Sequence, residues 1–182
     1  PSLEKYEAST ASAQEAEVAK SIAAAVQARK KAITTLEQNA GALPASNAGK
    51  YLKALHELAR TLLLSGNDKA AHNAIEHVAR LAPTHELDSD VYSRIYQKLF
   101  KTAGEKAMSG HRGKIMIKSV LPGATIELNG RPTGVAPILL EKVVPGRHLL
   151  VARIDGVIPF STIVNVVAKE QTEVTAKYSD TA

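Results

Sequence analysis

Hydrophobic positions change their rhythm once along this chain, near Gly110. Before that point they recur at three- and four-residue intervals among Ala, Leu, Glu, Lys and Gln, residues that favour helices. After it, Val, Ile and Thr alternate with polar residues between turns containing Gly and Pro, which predicts short strands. The polar stretch Ser109-Gly110-His111-Arg112-Gly113-Lys114 marks the change, so two domains are expected, residues 1–110 and 113–182. The fold class that follows is α+β in two separate domains: an all-α N-terminal part and a small all-β C-terminal sandwich.

Within the helical part, Val18, Ile22, Val26, Ile33 and Leu36 predict one long Ala-rich helix from about Ser2 to Gln38. Its thin apolar stripe gains little by burial alone, so it is expected to pack on the helices that follow. Asn39 to Gly49, with two Gly and a Pro, reads as a loop. Leu55, Leu58, Ala59 and Leu62 then form one face of a helix ending around Ser65-Gly66. A second helix starts near Asn67 or Asp68, residue types that cap helix N-termini, turns Ala71, Ile75, Val78 and Leu81 inward and stops at Pro83. This pair resembles one tetratricopeptide unit, a helical hairpin of about 34 residues. The positions that carry the resemblance are Leu55, Leu58, Ala59, Ala71, Ile75 and Pro83, with Leu in place of the first-helix aromatics. A third helix is expected from about Asp88 to Met108, burying Val91, Ile95, Leu99 and Ala103. A lone repeat needs its flanking helices as caps.

In the β part, Asn129-Gly130 lies between alternating segments and predicts a hairpin, because both residues tolerate positive φ. Pro145-Gly146 predicts a second turn. Ile115, Ile117, Ile126, Leu128, Leu140, Leu149, Val151 and Val164 fall at largely alternating places in six or seven short strands, as in a small sandwich. The run from Ser119 through Pro122-Gly123-Ala124 to Asn129-Gly130 resembles the opening of a PEGA domain. Gly134, Ala136-Pro137-Ile138, Val144-Pro145-Gly146-Arg147-His148 and Gly156 follow in the family's order, with Leu121 where the family usually has Pro. The resemblance implies a β-sandwich that binds or spaces other components and brings no catalytic residues with it.

Composition narrows the chemistry. Hydrophobic residues make up 45% of the 182 and aromatics only 4%, so the cores must be built mainly from Ala, Val, Ile and Leu. The absence of cysteine excludes disulfides, thiol catalysis and thiolate metal ligands within these residues. Gly110 to Lys114 superficially resembles a phosphate loop. However, Met108 stands where the first Gly belongs and Ile115 where the magnesium-binding hydroxyl belongs. His72 and His77 are five residues apart, about 140° around a helix, and cannot clamp a metal as an i, i+4 pair does. Glu86, Asp88 and Asp90 lack the Gly and distal Glu of a calcium loop and read as helix-capping acids. No nucleophile elbow stands out. No catalytic residue, cofactor or metal is therefore expected.

The net charge of +5 and pI of about 9.4 favour acidic partners. The charge is spread along the chain and aromatics are few, so nucleic-acid binding is not expected. Lys53, His56 and Arg60, at i, i+3 and i+7, are expected to form a cationic face opposite the buried Leu residues of the first hairpin helix. The tetratricopeptide resemblance places such positions in a peptide-binding groove, which here suits a carboxylate or an acidic segment of a protein partner. The expected function is a non-enzymatic adaptor or scaffold of the bacterial cell envelope or periplasm, with a cytoplasmic location as the alternative. Its helical part would bind a protein, and its PEGA-like part would dock on another envelope component. Binding of cell-wall or surface polysaccharide is the alternative, with Phe160 and Tyr178 the aromatics available to the β module. The chain begins at Pro1 without Met, as expected of a processed product whose signal or membrane tether lay upstream. The long first helix suits pairing with a second copy and packing within the chain equally well.

Overall fold

The structure, a computed structural model, describes residues 2–42 and 49–179, with only the backbone of residues 2–14, 16 and 17. Among the described residues four helices come first: α1 (Ser2–Gln38), α2 (Gly49–Leu64), α3 (Asp68–Leu81) and α4 (Arg94–Ser109). A single 3-10 turn, Ala40–Ala42, follows α1, and residues 43–48 of the expected loop lie outside the described residues. The Asn67 side chain accepts a hydrogen bond from the Ala70 amide and so caps α3. α3 ends at Leu81 and its C-cap, Ala82, leaves the helical region directly before Pro83, as the stereochemistry of a residue before proline favours. α1 runs antiparallel to α2: Tyr51 bonds Glu37, Glu57 pairs with Arg29 at 3.2 Å, and Leu62 packs on Val26.

α4 departs from expectation in start and in phase. It begins six residues later than Asp88, at Arg94, because the Ser93 hydroxyl accepts the Tyr96 amide and caps it. Asp88 instead closes the preceding turn, where its carboxylate takes the Asp90 amide and its carbonyl takes those of Val91 and Tyr92. The buried face is Tyr92, Tyr96, Phe100 and Gly104, one residue on from the expected stripe. Val91 and Ile95 are 42% and 68% exposed, while Leu99 and Ala103 are half-buried. The aromatic side chains bury more area than Val and Ile and so decide the rotation of the helix. Gly104 lets α4 approach the chain at Pro83, since a Cβ there would stand 2.5 Å from the Pro83 carbonyl oxygen.

Seven strands follow: β1 (Gly113–Ser119), β2 (Thr125–Leu128), β3 (Arg131–Val135), β4 (Ile138–Val143), β5 (Gly146–Arg153), β6 (Phe160–Val166) and β7 (Gln171–Ala176). They form a three-stranded sheet in the order β4-β1-β7 and a four-stranded sheet in the order β3-β2-β5-β6. Every pairing is antiparallel except β1 with β7. Asn129 and Gly130, with φ of 54° and 81°, make the β2–β3 turn. Ile115 and Ile117 face Ile126, Leu150, Ala152 and Val164 in the sandwich core.

β5 is buried on both faces. Leu150 and Ala152 enter the sandwich, while Leu149 and Val151 join the helical core with Ile75, Val78 and Ala79. Arg153 sits on the same helix-facing side, paired with Glu127 at 3.0 Å, and donates to the carbonyls of Ala40 and Gly41. The two structural classes are thus distinct along the sequence, and they share one apolar layer in space.

Candidate functional site

The three residues expected to form a cationic face are not brought together at a surface. Lys53 is exposed, but His56 is 1% exposed and lies against the rings of His85, Tyr92, Tyr96 and Phe100. Its Nδ1 shares a 2.8 Å hydrogen bond with the Tyr96 hydroxyl. Burial, with a smaller contribution from the neighbouring His85, lowers its pKa to about 4 and keeps the ring neutral. Arg60 donates to the Val91 carbonyl at 3.0 Å, pairs with Glu57 at 3.2 Å and covers the Tyr92 ring. These two residues fasten α2 to the turn before α4. The aromatic stripe that rotated α4 is also what draws His56 inward.

Cations converge elsewhere, in a cleft of about 520 Å³ between the end of α3 and one end of the sandwich. Arg80, Arg112, Arg131 and Lys142 line it, with Glu141 the one carboxylate among them. Each is placed by a separate local device. Arg80 lays its aliphatic stem over Gly146, where a Cβ would stand 3.3 Å from the arginine Cδ. Arg112 donates to the Ala107 and Gly110 carbonyls and so also satisfies the C-terminal end of α4. Arg131 leaves the Asn129-Gly130 turn at the start of β3.

Lys142 has φ of 59° at an irregularity in the β1–β4 ladder, where Gly113 faces Val143 but Ile115 faces Leu140. Such a bulge re-aims a side chain at the cost of local strain. Arg80 is paired with Glu76 and Glu141 with Lys114. None of the ion pairs among the described residues engages Arg131 or Lys142.

Beneath these cations lies a neutral polar pair. The Asn129 amide nitrogen donates to His148 Nδ1 at 2.9 Å, and the Val144 carbonyl accepts from His148 Nε2 at 2.6 Å. Burial lowers the His148 pKa, against a smaller opposing effect of the Val144 bond, so the ring adds no charge near neutrality. Arg131 also lowers the pKa of His85, after burial, which puts the cleft's field next to the His56 cluster. The arrangement holds fixed positive charge over a satisfied floor and suits an anionic group entering from solvent. No spacing in the sequence announces this cleft, because its cations come from four separate segments that only the tertiary fold brings together.

The architecture defines a class: a helical unit joined to a seven-stranded, two-sheet β-sandwich. Residues 112–181 match the PEGA domain family, so the C-terminal module is a PEGA domain preceded by a helical region. No curated protein matches the chain.

Proposed function

We propose that the protein is a non-enzymatic binding or assembly protein of the bacterial cell envelope. In this reading the cleft between α3 and the PEGA module receives a carboxylate-bearing segment of a protein partner. The observation that carries it is the convergence of Arg80, Arg112, Arg131 and Lys142 on one cleft. Arginine forks and a lysine point charge, beside a single lining carboxylate, Glu141, that pairs with Lys114, are suited to exchangeable anionic ligands. PEGA domains are common in secreted and envelope proteins, which supports the location. Among the described residues no helix is long and apolar enough to cross a membrane.

The helical part contributes Arg80 and frames the cleft rather than offering the Lys53, His56 and Arg60 face. Polysaccharide binding has less to support it. Phe160 and Tyr178 both pack, half-buried, against the sandwich core, and the Tyr178 hydroxyl bonds Ser119. Neither presents the flat exposed ring that sugars stack on.

Titration of the full chain with an oligo-glutamate peptide, and separately with isolated cell-wall sacculi, tests the proposal. Salt-sensitive peptide binding that is lost in Arg131→Glu/Lys142→Glu is expected. Retention by sacculi that is unchanged in that variant would turn the reading to the polysaccharide alternative.

A further inference from the structure

We infer that the cationic cleft is one end of a longer groove, which receives an extended partner segment carrying an apolar side chain between carboxylates. This rests on the anion-binding role proposed for the cleft and adds an apolar anchor to what the partner must carry. A second cavity, of about 530 Å³, lies between α4 and the chain that leads into it from α3. Pro83, Thr84 and Met108 line both this cavity and the cleft, so the two adjoin there. Arg131 of the cleft is also near enough to His85 of the second cavity to lower its pKa, after burial.

The sequence of α4 sets the chemistry of the second cavity. Lys98, Lys101 and Met108 recur at spacings of three and seven on one exposed face, while Phe100 turns inward and gives the floor. Leu87, on the opposite wall, is half-buried against the helical core. Met108 is 40% exposed, so an apolar surface open to water stands at the junction with the cleft. None of the ion pairs among the described residues engages Lys98 or Lys101, and Glu105 is the one carboxylate lining the cavity. Running down α4, Lys98 and Lys101 come first, then Met108, then Arg112 of the cleft just beyond the helix end. An apolar patch thus separates two sets of cations. From Lys98 to Met108 is about 15 Å at 1.5 Å per residue, a distance that about four or five residues of extended chain span.

The loop wall suits a polypeptide better than a compact anion. From Pro83 to Leu87 the one backbone hydrogen bond among the described residues runs from the His85 amide to the Ala82 carbonyl. The amides of Thr84 and Leu87, both in the wall, therefore have no backbone partner within the described chain. They can donate to the carbonyls of an extended segment laid along the groove, as in strand addition.

Anisotropy titrations of the full chain use the labelled peptide Glu-Glu-Glu-Leu-Glu-Glu-Glu and the same peptide with Gln in place of Leu. The Leu peptide is expected to bind about tenfold more tightly, as partial burial of one leucine side chain provides. Lys98, Lys101 and Met108 are exposed, so substituting them leaves the fold intact. Met108→Gln should remove the advantage of Leu and leave the affinity of the Gln peptide unchanged. Lys98→Glu/Lys101→Glu should weaken both peptides by about tenfold, and Arg131→Glu/Lys142→Glu should abolish binding of both. Equal affinity of the two peptides, an advantage of Leu that persists in Met108→Gln, or indifference to Lys98→Glu/Lys101→Glu would each overturn the longer groove. The cleft's own role would still stand if Arg131→Glu/Lys142→Glu abolished binding. No binding of either peptide would overturn both.

Discussion

The two sheets of the PEGA module meet their surroundings differently. The four-stranded sheet is roofed by helices, so that β5 buries Leu149 and Val151 against α3 while Leu150 and Ala152 fill the sandwich. The three-stranded sheet turns its outer face to water. On β7 the buried or half-buried Thr172, Val174 and Ala176 alternate with exposed Gln171, Glu173 and Thr175. The same fold thus supplies one face for joining a helical unit and one left free. The joined face is where the cationic cleft forms, since Arg80 reaches the module only because α3 lies across β5.

The sharpest break of this contrast is a charge under the roof. Val151→Asp leaves an unpaired carboxylate between sheet and helices and should cost at least about 3 kcal/mol. Because the residue belongs to the helical core, helical circular dichroism and the β signal should be lost together in urea. Loss of the β signal alone would mean that the two parts unfold independently.

A smaller effect should come from acid, because the histidines with lowered pKa lie in the helical roof or on β5. His56 titrates near 4 when folded against 6.5 unfolded, so between those values the unfolded chain binds the extra proton. Its contribution is complete above pH 6.5 and drains away as pH falls towards 4, a loss of order 3 kcal/mol. His77, His85 and His148 shift in the same direction, each chiefly through burial. Urea midpoints should therefore fall between about pH 7.5 and about pH 5, and fall less in His56→Gln. A midpoint independent of pH in this range would contradict the buried, neutral His56.

The smallest effect belongs to the open sheet. Lys118 and Glu173 pair at 2.8 Å with both side chains about half exposed. Glu173→Gln should therefore change stability by no more than about 0.5 kcal/mol.

What was legible in the sequence was local. Asn129-Gly130 and Asn67 declare a hairpin turn and a helix cap through their own stereochemistry, and both are where the sequence puts them. The phase of α4 is ambiguous in the sequence: Val91-Ile95-Leu99 and Tyr92-Tyr96-Phe100 are equally periodic, and the larger area that the aromatic stripe buries in the helical core chooses it. Leu149 and Val151 by alternation predict one buried face for β5, although the unbroken apolar run Leu149-Leu150-Val151-Ala152 carries the mark of a strand covered on both sides. Lys53, His56 and Arg60 share a helix face by spacing, but spacing does not say whether that face meets solvent or another helix. The cleft cations, at positions 80, 112, 131 and 142, have no sequence pattern at all.

We propose that this protein meets its partner at the cleft between helices and PEGA module. It is tested most directly by a crosslinking pull-down from a native envelope extract, using the full chain beside Arg131→Glu/Lys142→Glu. Wild type is expected to retain specific envelope proteins bearing acidic segments, and the double variant, equally stable, to lose them. Retention of the same proteins by both baits, or of none above control by wild type, would contradict it.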